Sequence, residues 1–214
     1  IQLYAGYNEI DEARFVVERI KKLADEGSLY SENAILYRSN AQSRVLEEAL
    51  LRSQMPYRIY GGHRFFERAE IRNVLAYMRL ISHRDADAAF ERVINTPTRG
   101  IGEKSIGEIR TLARASGTSL WRAANTTVDK HLLSHRARNA IAGFIELVTE
   151  LDDLTTTAEL AELVEVVTEK SGLKEYHAKE GGERGQARVE NMGELVTAAK
   201  TFDPGTDYTF ETET

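Results

Sequence analysis

Strand-length apolar segments alternate with amphipathic helical segments in the first 62 residues of the chain. The strand-like segments cover 1–5, 34–37 and 57–60, and the residues between them have the apolar spacing of helices. Strands that are separated by helices pair in parallel, so this order predicts an α/β unit. Three strands make only part of a sheet, and we therefore expect the chain to be a piece of a longer protein.

The strand pattern ends at Gly62, and the rest of the sequence predicts helices. The predicted helices cover 70–82, 87–95, 102–116, 119–125, 134–151, 157–171 and 188–202. A polar, weakly periodic stretch at 126–133 predicts a domain boundary. We expect an α/β part over residues 1–130 and the start of a helical domain over residues 131–214, with helix predominating overall.

Basic residues are concentrated in one part of an acidic chain. The formal net charge is −6, yet residues 92–138 carry nine Lys/Arg against three acidic residues, and residues 146–214 carry six against 17. Such a region is a candidate anion-binding or nucleic-acid surface, and a solvated helix face is the alternative. The chain has no cysteine and no apolar stretch long enough to span a bilayer, so we expect a cytoplasmic protein that does not bind membranes.

The second strand-like segment ends in Tyr37 and Arg38, directly before a predicted helix. In an open parallel sheet, ligands bind beyond the carboxyl ends of the strands. At that edge a tyrosine can stack on a base, and an arginine can hold phosphate oxygens with two parallel donors. The alternative is an arginine that extends into solvent beside a tyrosine packed at the rim.

Aromatic and basic residues alternate after the third strand-like segment, in the stretch YGGHRFFERAEIR. Its candidate DNA contacts are Gly61, Gly62, Arg64, Phe65, Phe66 and Arg68. Single-stranded nucleic acid stacks its bases on aromatic rings and pairs its phosphates with cations, and glycine allows backbone conformations that other residues avoid. Anchoring of the loop to the core by the two phenylalanines is an equally good interpretation.

A Gly-Ile-Gly sequence lies between two predicted helices, in TPTRGIGEKSIGEIR. Its candidate DNA contacts are Arg99, Gly100, Ile101, Gly102 and Lys104. The pattern is typical of a helix–hairpin–helix turn, in which glycines let the backbone approach a phosphate and the next helix directs its first N–H groups outward. Such contacts hold the DNA backbone without reading its sequence. A plain glycine-rich connector is the alternative.

A second glycine-rich basic segment, GGERGQAR at 181–188, is predicted to be a flexible loop between helices. Gly185 and Arg188 are its candidate contacts with a phosphate backbone. A solvated loop without a ligand is the alternative. The histidines have no metal-ligand spacing, so no metal site is predicted.

Together these motifs resemble the UvrD/Rep/PcrA family of superfamily 1 DNA helicases. AILYRSNAQSRVLEEAL is similar to helicase motif IV, and YRIYGGHRFFERAEIR and NTPTRGIG follow it in the family's order. EKSGLKEY and GQARVENMGELV are similar to the family's accessory domain. The resemblance implies that residues 1–130 are the first part of the second RecA-like P-loop NTPase motor domain, and that residues 131–214 begin the helical accessory domain.

The resemblance also implies roles for individual residues. Tyr37 would stack on the adenine of ATP, and Arg38 would contact the γ-phosphate as a catalytic residue that stabilises charge during hydrolysis. Residues 61–68 and 99–102 would lie on the DNA side. No family contact is carried over to His63 or Ala187.

The implied function is ATP-dependent, 3′-to-5′ unwinding of DNA in repair and replication. ATP and Mg²⁺ would be cofactors of the full-length protein, with single-stranded DNA, duplex DNA and repair proteins as partners. The chain has no phosphate loop and no acidic Mg²⁺ motif after an apolar strand, so we expect it to be inactive alone and not to bind these cofactors tightly. The alternatives are a non-catalytic helix–hairpin–helix DNA-binding module and a structural or partner-binding helical domain.

Overall fold

The computed structural model describes residues 2–39, 42–60 and 62–202, which fold into helices joined by turns and irregular segments. Three 3₁₀ turns lie at Tyr30–Glu32, Phe65–Glu67 and Leu154–Thr156. The α-helices of the described residues are α1 (Glu9–Asp25), α2 (Ser43–Arg52), α3 (Ala69–Ser82), α4 (Asp87–Val93), α5 (Glu103–Ser116), α6 (Leu120–Asp129), α7 (His135–Asp153), α8 (Leu160–Lys170), α9 (Leu173–Ala178) and α10 (Gly182–Lys200).

The three predicted strands form no sheet in the ranges that the structure covers. Residues 2–5, 34–37 and 57–60 have no regular secondary structure there. Leu3 is 95% exposed and Leu36 is 93% exposed, so neither side chain packs in a core. A strand is stable only beside partner strands. The described residues are therefore predominantly helical, as expected for the chain overall, and the α/β part stays a prediction.

The first two helices share a small apolar cluster of their own. Asn8 caps α1, because its side-chain oxygen accepts the backbone N–H of Asp11 at 2.9 Å. Val17 and Ile20 of α1 pack with Leu50 of α2 and with Met55, which follows α2. We call these last four residues the N-terminal cluster.

A larger core joins the remaining helices around α3. Val74 and Tyr77 of α3 are completely buried, and this helix packs against α4, α7, α8 and α10. Phe90 and Phe144 come from opposite sides of the predicted boundary at 126–133, and their ring centroids are 5.7 Å apart. The core is thus continuous across that stretch, and the boundary between functional domains stays a prediction.

The segment 181–188, predicted to be a loop, instead forms the beginning of α10. Gly185 is buried there because α10 approaches α9 closely: a Cβ on Gly185 would lie 2.7 Å from the backbone oxygen of His177. The glycine therefore serves close helix packing and not loop flexibility. The short helix α9 was not predicted at all.

Four buried polar side chains connect the two apolar regions. The Arg68 guanidinium donates to Ser43 Oγ at 2.6 Å and to Asn191 Oδ1 at 2.9 Å. Asn191 in turn donates to Glu70 Oε1 at 2.7 Å. We call Ser43, Arg68, Glu70 and Asn191 the polar junction. Buried polar groups cost free energy unless they are paired, so this network favours one placement of α2 relative to α3 and α10.

Candidate nucleotide and DNA site

Tyr37 and Arg38 lie at the end of an irregular segment, shortly before α2 begins. Tyr37 is 36% exposed, and the exposed Arg38 side chain makes no hydrogen bond or ion pair with the part of the chain that the structure describes. The backbone here is held by Gln42, whose Oε1 accepts the N–H of Arg38 at 3.0 Å and that of Ser39 at 3.3 Å. An aromatic face and a guanidinium are thus both available to a ligand.

Both residues open onto a cleft of about 950 Å³ between the segment at 37–39, the residue pairs 59–60 and 62–63, and the first turns of α10. Tyr60, which is 84% exposed, and Arg184 also line it. A cleft of this size suits a small-molecule ligand or part of a polymer. Arginines and tyrosines around one cleft can bind phosphate and stack on bases, which is the chemistry of a nucleotide or nucleic acid.

The residues that follow Tyr60 are divided between surface and interior. Gly61 lies outside the described residues, and Gly62 is exposed on the rim of the cleft. The Arg64 guanidinium lies over the Tyr57 ring, 5.4 Å from its centroid, and Phe66 is 45% exposed. Gly62, Arg64 and Phe66 are therefore accessible, and their DNA contacts stay predictions.

Phe65 and Arg68 point inward, which does not fit the DNA contacts predicted for them. Phe65 is 1% exposed, and its backbone N–H donates to the Glu47 carboxylate at 3.2 Å. Arg68 is 8% exposed and belongs to the polar junction, with its guanidinium 5.3 Å from the Phe65 ring centroid. A base cannot stack on a buried ring, and the Arg68 guanidinium, although it borders the cleft, is already bonded to Ser43 and Asn191. These two residues therefore pack beneath the surface of the site and hold its backbone in place.

Glu47 also holds Tyr57, which follows α2 in the chain. The Tyr57 hydroxyl donates to Glu47 Oε2 at 3.3 Å. Burial of the phenol, together with the nearby Glu47 carboxylate, raises the pKa of Tyr57 to about 12. Tyr57 therefore remains a neutral hydrogen-bond donor throughout the physiological pH range.

Arg44 fastens α2 to α10. It is 3% exposed, and it bonds Glu48 of α2 at 2.7 Å and Glu194 of α10 at 2.6 Å. Burial alone lowers the pKa of Arg44, but the hydrogen bonds that it donates to Glu194 and Glu48 outweigh burial and raise it. The residues next to Gln42 are thus fixed to the helical body by a paired, charged side chain.

The Gly-Ile-Gly turn is held by Asn95. The Asn95 Oδ1 accepts the backbone N–H of Arg99 at 2.8 Å and that of Ile101 at 3.3 Å. Gly100 has a φ of 76°, in the left-handed region that favours glycine. Ile101 is completely buried, whereas Gly100 and Gly102 are exposed. The side chain of Ile101 therefore cannot contact DNA, although its backbone could. The turn presents Gly100 and Gly102 to solvent.

The Arg99 side chain is bonded to backbone oxygens inside the protein. Its guanidinium donates to the backbone oxygens of Val93 at 3.2 Å, Pro97 at 3.0 Å and Ser171 at 2.9 Å. It also lies 5.5 Å from the centroid of the Phe144 ring. The phosphate contact predicted for Arg99 does not fit these bonds, and the side chain ties the turn to the end of α8.

Two exposed cations flank the turn. Lys104 lies in the first turn of α5, and Arg136 lies near the start of α7 with Nη2 3.8 Å from where a Cβ on Gly100 would be. Neither has a hydrogen bond or ion pair within the described ranges. The neighbouring Glu103 carboxylate is bonded to Arg110 at 2.5 Å. Arg136 was not among the predicted contacts, and only its membership of the basic region 92–138 pointed to it.

Arg188 lines the cleft, but its charge is compensated. It donates to Glu180 Oε1 at 2.7 Å and lies 3.2 Å from His177 Nδ1. The hydrogen bond from His177, helped by the charge of Arg188, lowers the pKa of Glu180. The Arg188 Nε lies 3.9 Å from Glu70 Oε2, so Arg188 is also paired with a member of the polar junction. The DNA contacts of Gly185, which is buried, and of Arg188 stay predictions.

The sequence reasoning missed the residues that hold the site in place. Gln42 carried a usable signal, because a glutamine four residues after Arg38 can reach back to that backbone. For Arg44 only the pair with Glu48, four residues on, could be predicted, because Glu194 is 150 residues away. Asn191 carried no signal, since its partner Glu70 is 121 residues away.

The described residues contain no cluster of three or more histidine, aspartate or glutamate side chains that could hold a metal ion. We assign no Mg²⁺ ligand to this part of the chain. No helix in the described ranges combines the length and apolar character needed to cross a membrane.

The sequence of the chain matches one protein family. Residues 1–213 match the UvrD-like helicase C-terminal domain, and the chain belongs to that family. This confirms the family membership predicted from the motifs. Because the match covers nearly the whole chain, it does not favour the alternative of an independent helix–hairpin–helix module.

Particular helicases are similar in sequence. Over 202 residues the chain is 52% identical to DNA helicase II of Escherichia coli strain K12, covering 94% of this chain and 28% of that protein. It is 38% identical over 204 residues to the ATP-dependent DNA helicase PcrA of Bacillus subtilis strain 168, covering 95% of this chain and 28% of that protein. The chain thus spans little more than a quarter of the length of these relatives.

Proposed function

We propose that this chain is part of an ATP-dependent DNA helicase that moves 3′ to 5′, and that Tyr37 and Arg38 supply part of its ATP site. The observation that carries the proposal is the exposed Arg38 guanidinium beside the exposed Tyr37 ring, on one cleft, in a chain of this family. The ring would stack on adenine. The guanidinium would stabilise the charge that develops on the γ-phosphate as water attacks it.

We infer that residues 2–60 belong to a RecA-like motor domain whose remaining strands lie elsewhere in the full-length protein. Two irregular segments, 34–37 and 56–60, border a groove of about 900 Å³ with apolar side chains from α1 and α2. Partner strands would convert such segments into a sheet. The Mg²⁺ that accompanies ATP would take its protein ligands from those other parts.

We further propose that the turn at 100–102, with Lys104 and Arg136, contacts the DNA phosphate backbone. The exposed glycines allow close approach, and the two exposed cations supply the charge. Because Arg99 is used inside the protein, Arg136 replaces it in this proposal. Repair proteins as partners and a cytoplasmic location stay predictions.

The ATP proposal is tested by Arg38→Ala in the full-length protein. We expect DNA-stimulated kcat for ATP hydrolysis to fall about 10³-fold, the usual effect of removing an arginine that stabilises the transferring phosphoryl group. Arg19→Ala, an exposed arginine on α1 that does not line the cleft, is the matched control and should retain normal turnover. Normal turnover in Arg38→Ala would contradict the assignment.

The DNA proposal is tested by the double variant Lys104→Ala/Arg136→Ala in the full-length protein. Loss of two phosphate contacts should reduce the slope of log affinity against log salt by about 2 for duplex DNA. Arg114→Ala, an exposed arginine at the other end of α5, is the control and should not change the slope. An unchanged slope in the double variant would show that these two cations do not contact DNA.

A further inference from the structure

In the described part of the chain, the backbone at Arg38 belongs to an irregular segment, so no helical or strand hydrogen bonds hold it in place. One residue, Gln42, makes three hydrogen bonds at this turn. Gln42 Oε1 accepts the N–H of Arg38 at 3.0 Å and that of Ser39 at 3.3 Å, while the Gln42 N–H donates to the Ser39 oxygen at 3.2 Å. Beside this one backbone bond, a single side-chain oxygen holds two N–H groups of the backbone from which the Arg38 side chain projects.

Gln42 is itself held by a fixed neighbour. It directly precedes α2, whose first two residues are buried: Ser43 is 1% exposed and Arg44 is 3% exposed. Ser43 accepts a hydrogen bond from Arg68 at 2.6 Å, and Arg44 is paired with Glu194 of α10 at 2.6 Å. The start of α2 is thus fixed to the helical body, and Gln42 extends that rigidity to the Arg38 backbone.

We propose that Gln42 is a positioning residue, which holds the Arg38 backbone so that the guanidinium can contact the γ-phosphate of ATP. The inference rests on the ATP role proposed for Arg38. Gln42 acts through Arg38 and does not touch the nucleotide in this assignment. Its side chain is exposed, so its removal should affect the geometry of the turn far more than the stability of the fold.

The test is Gln42→Met in the full-length protein. Methionine has a similar length and shape but no oxygen to accept the two N–H groups. Displacement of a catalytic group by about 1 Å can cost about 100-fold in rate, so we expect kcat for DNA-stimulated ATP hydrolysis to fall about 10- to 100-fold. The KM for ATP should change by less than about threefold, because Tyr37 still binds the base.

A double-variant comparison separates positioning from a general structural effect. In an Arg38→Ala background, Gln42→Met should change kcat by less than about twofold, because the group that it positions is already gone. Gln54→Met is the control: this exposed glutamine just after α2 does not line the cleft, so its variant should keep normal kcat.

Two results would overturn the inference. One is a normal kcat in Gln42→Met, and the other is a full additional loss when Gln42→Met is combined with Arg38→Ala. Both are distinct from failure of the ATP proposal, which would appear as normal turnover in Arg38→Ala alone. Circular dichroism melting of each variant shows whether the fold is intact.

Discussion

Gly185 lies where the first turns of α10 pass closest to α9, and its missing side chain allows that approach. A Cβ at this position would lie 2.7 Å from the His177 backbone oxygen, which cannot move away without shifting α9. We expect Gly185→Ala to lower the free energy of unfolding by about 1–3 kcal/mol. Urea denaturation of the chain, followed by circular dichroism, measures this change.

The same helix contains the matched control. Gly193 also lies within α10 and is exposed, and a Cβ added there would have no neighbouring atom within 4 Å outside its own helical backbone. Gly193→Ala should therefore raise the free energy of unfolding by about 0.5–1 kcal/mol, since alanine favours helix more than glycine does. Equal effects of the two substitutions would contradict the packing role of Gly185.

Tyr77 should make stability depend on alkaline pH. Its buried hydroxyl donates to the Thr96 oxygen at 2.8 Å, and burial raises its pKa from the usual 10.0 to about 12. The phenol is thus protonated in the folded chain at a pH where the unfolded chain has lost that proton. Stability from this group is complete below pH 10 and is lost as the pH rises from 10 through 12, by about 2.7 kcal/mol at most.

The pH effect is measured as the free energy of unfolding in urea, in steps from about pH 9 to about pH 12. Tyr77→Phe has no ionisable group there, so its curve should be flatter than that of the unsubstituted chain. Tyr7→Phe is the control, because the Tyr7 ring is 99% exposed. If Tyr77→Phe and the unsubstituted chain lose stability in parallel, Tyr77 is not the group responsible.

At the scale of elements, the contact between α2 and α10 depends on the pair Arg44–Glu194. The Arg44 side chain is 4% exposed and that of Glu194 is 20% exposed, so solvent screens the pair only in part. We expect a double-mutant cycle with Arg44→Met and Glu194→Gln to give a coupling free energy of about 1–3 kcal/mol.

Glu175 and Lys179 of the α9 region provide the comparison, since their atoms are also close, at 2.7 Å, but their side chains are 72% and 73% exposed. Their coupling should be no more than about 0.5 kcal/mol. If the cycle across α2 and α10 gave an equally small value, Arg44 would be a solvated charge and could not anchor the start of α2.

Sequence periodicity predicted most helices because each buries one regular apolar face, as α3 does with Val74 and Tyr77. It failed at 181–188, where a glycine that enables close packing looks the same as a glycine in a flexible loop. The strand segments were apolar enough for a sheet, but strands need partners that these residues do not supply. Periodicity therefore predicts an element's face, and only tertiary contacts decide whether the element forms.

Tyr37 and Arg38 were chosen from their local order in the sequence; the structure places both on one cleft, and their role stays a prediction. The sequence did not show which of the aromatic and basic side chains are buried and therefore cannot reach a ligand. Phe65 and Arg99 sit in aromatic–basic patterns that suit nucleic acid, yet one is in the core and the other binds backbone oxygens. Residue type and spacing are identical for a ligand surface and for an internal cation–aromatic contact, so the sequence could not separate the two.

At the scale of the whole molecule, two apolar regions of unequal size meet through polar side chains. The N-terminal cluster has four buried apolar residues from α1, α2 and the turn after α2, whereas the larger core runs from Phe65 to Leu195. The polar junction between them contributes pairing and little apolar burial. We therefore expect the N-terminal helices to open without unfolding of the larger core.

Hydrogen exchange of backbone amides tests this, with α1 and α7 as a matched pair. They have 17 and 19 residues, and each is capped by a side chain, Asn8 or Ser134. The difference is burial, because α7 places Phe144 and its neighbours in the larger core. Amides of α1 should be protected by about 2 kcal/mol less than those of α7 in native-state exchange.

Equal protection of the two helices would show that the polar junction makes the whole chain one cooperative unit. Arg68→Met distinguishes these cases further. It breaks the junction at Ser43 and Asn191 but leaves the larger core's apolar packing in place. If the junction is what holds the N-terminal helices, this variant should speed exchange in α1 and α2 about 10-fold or more while exchange in α7 changes little, since a lost buried hydrogen bond to a charged group costs about 1.5–3 kcal/mol.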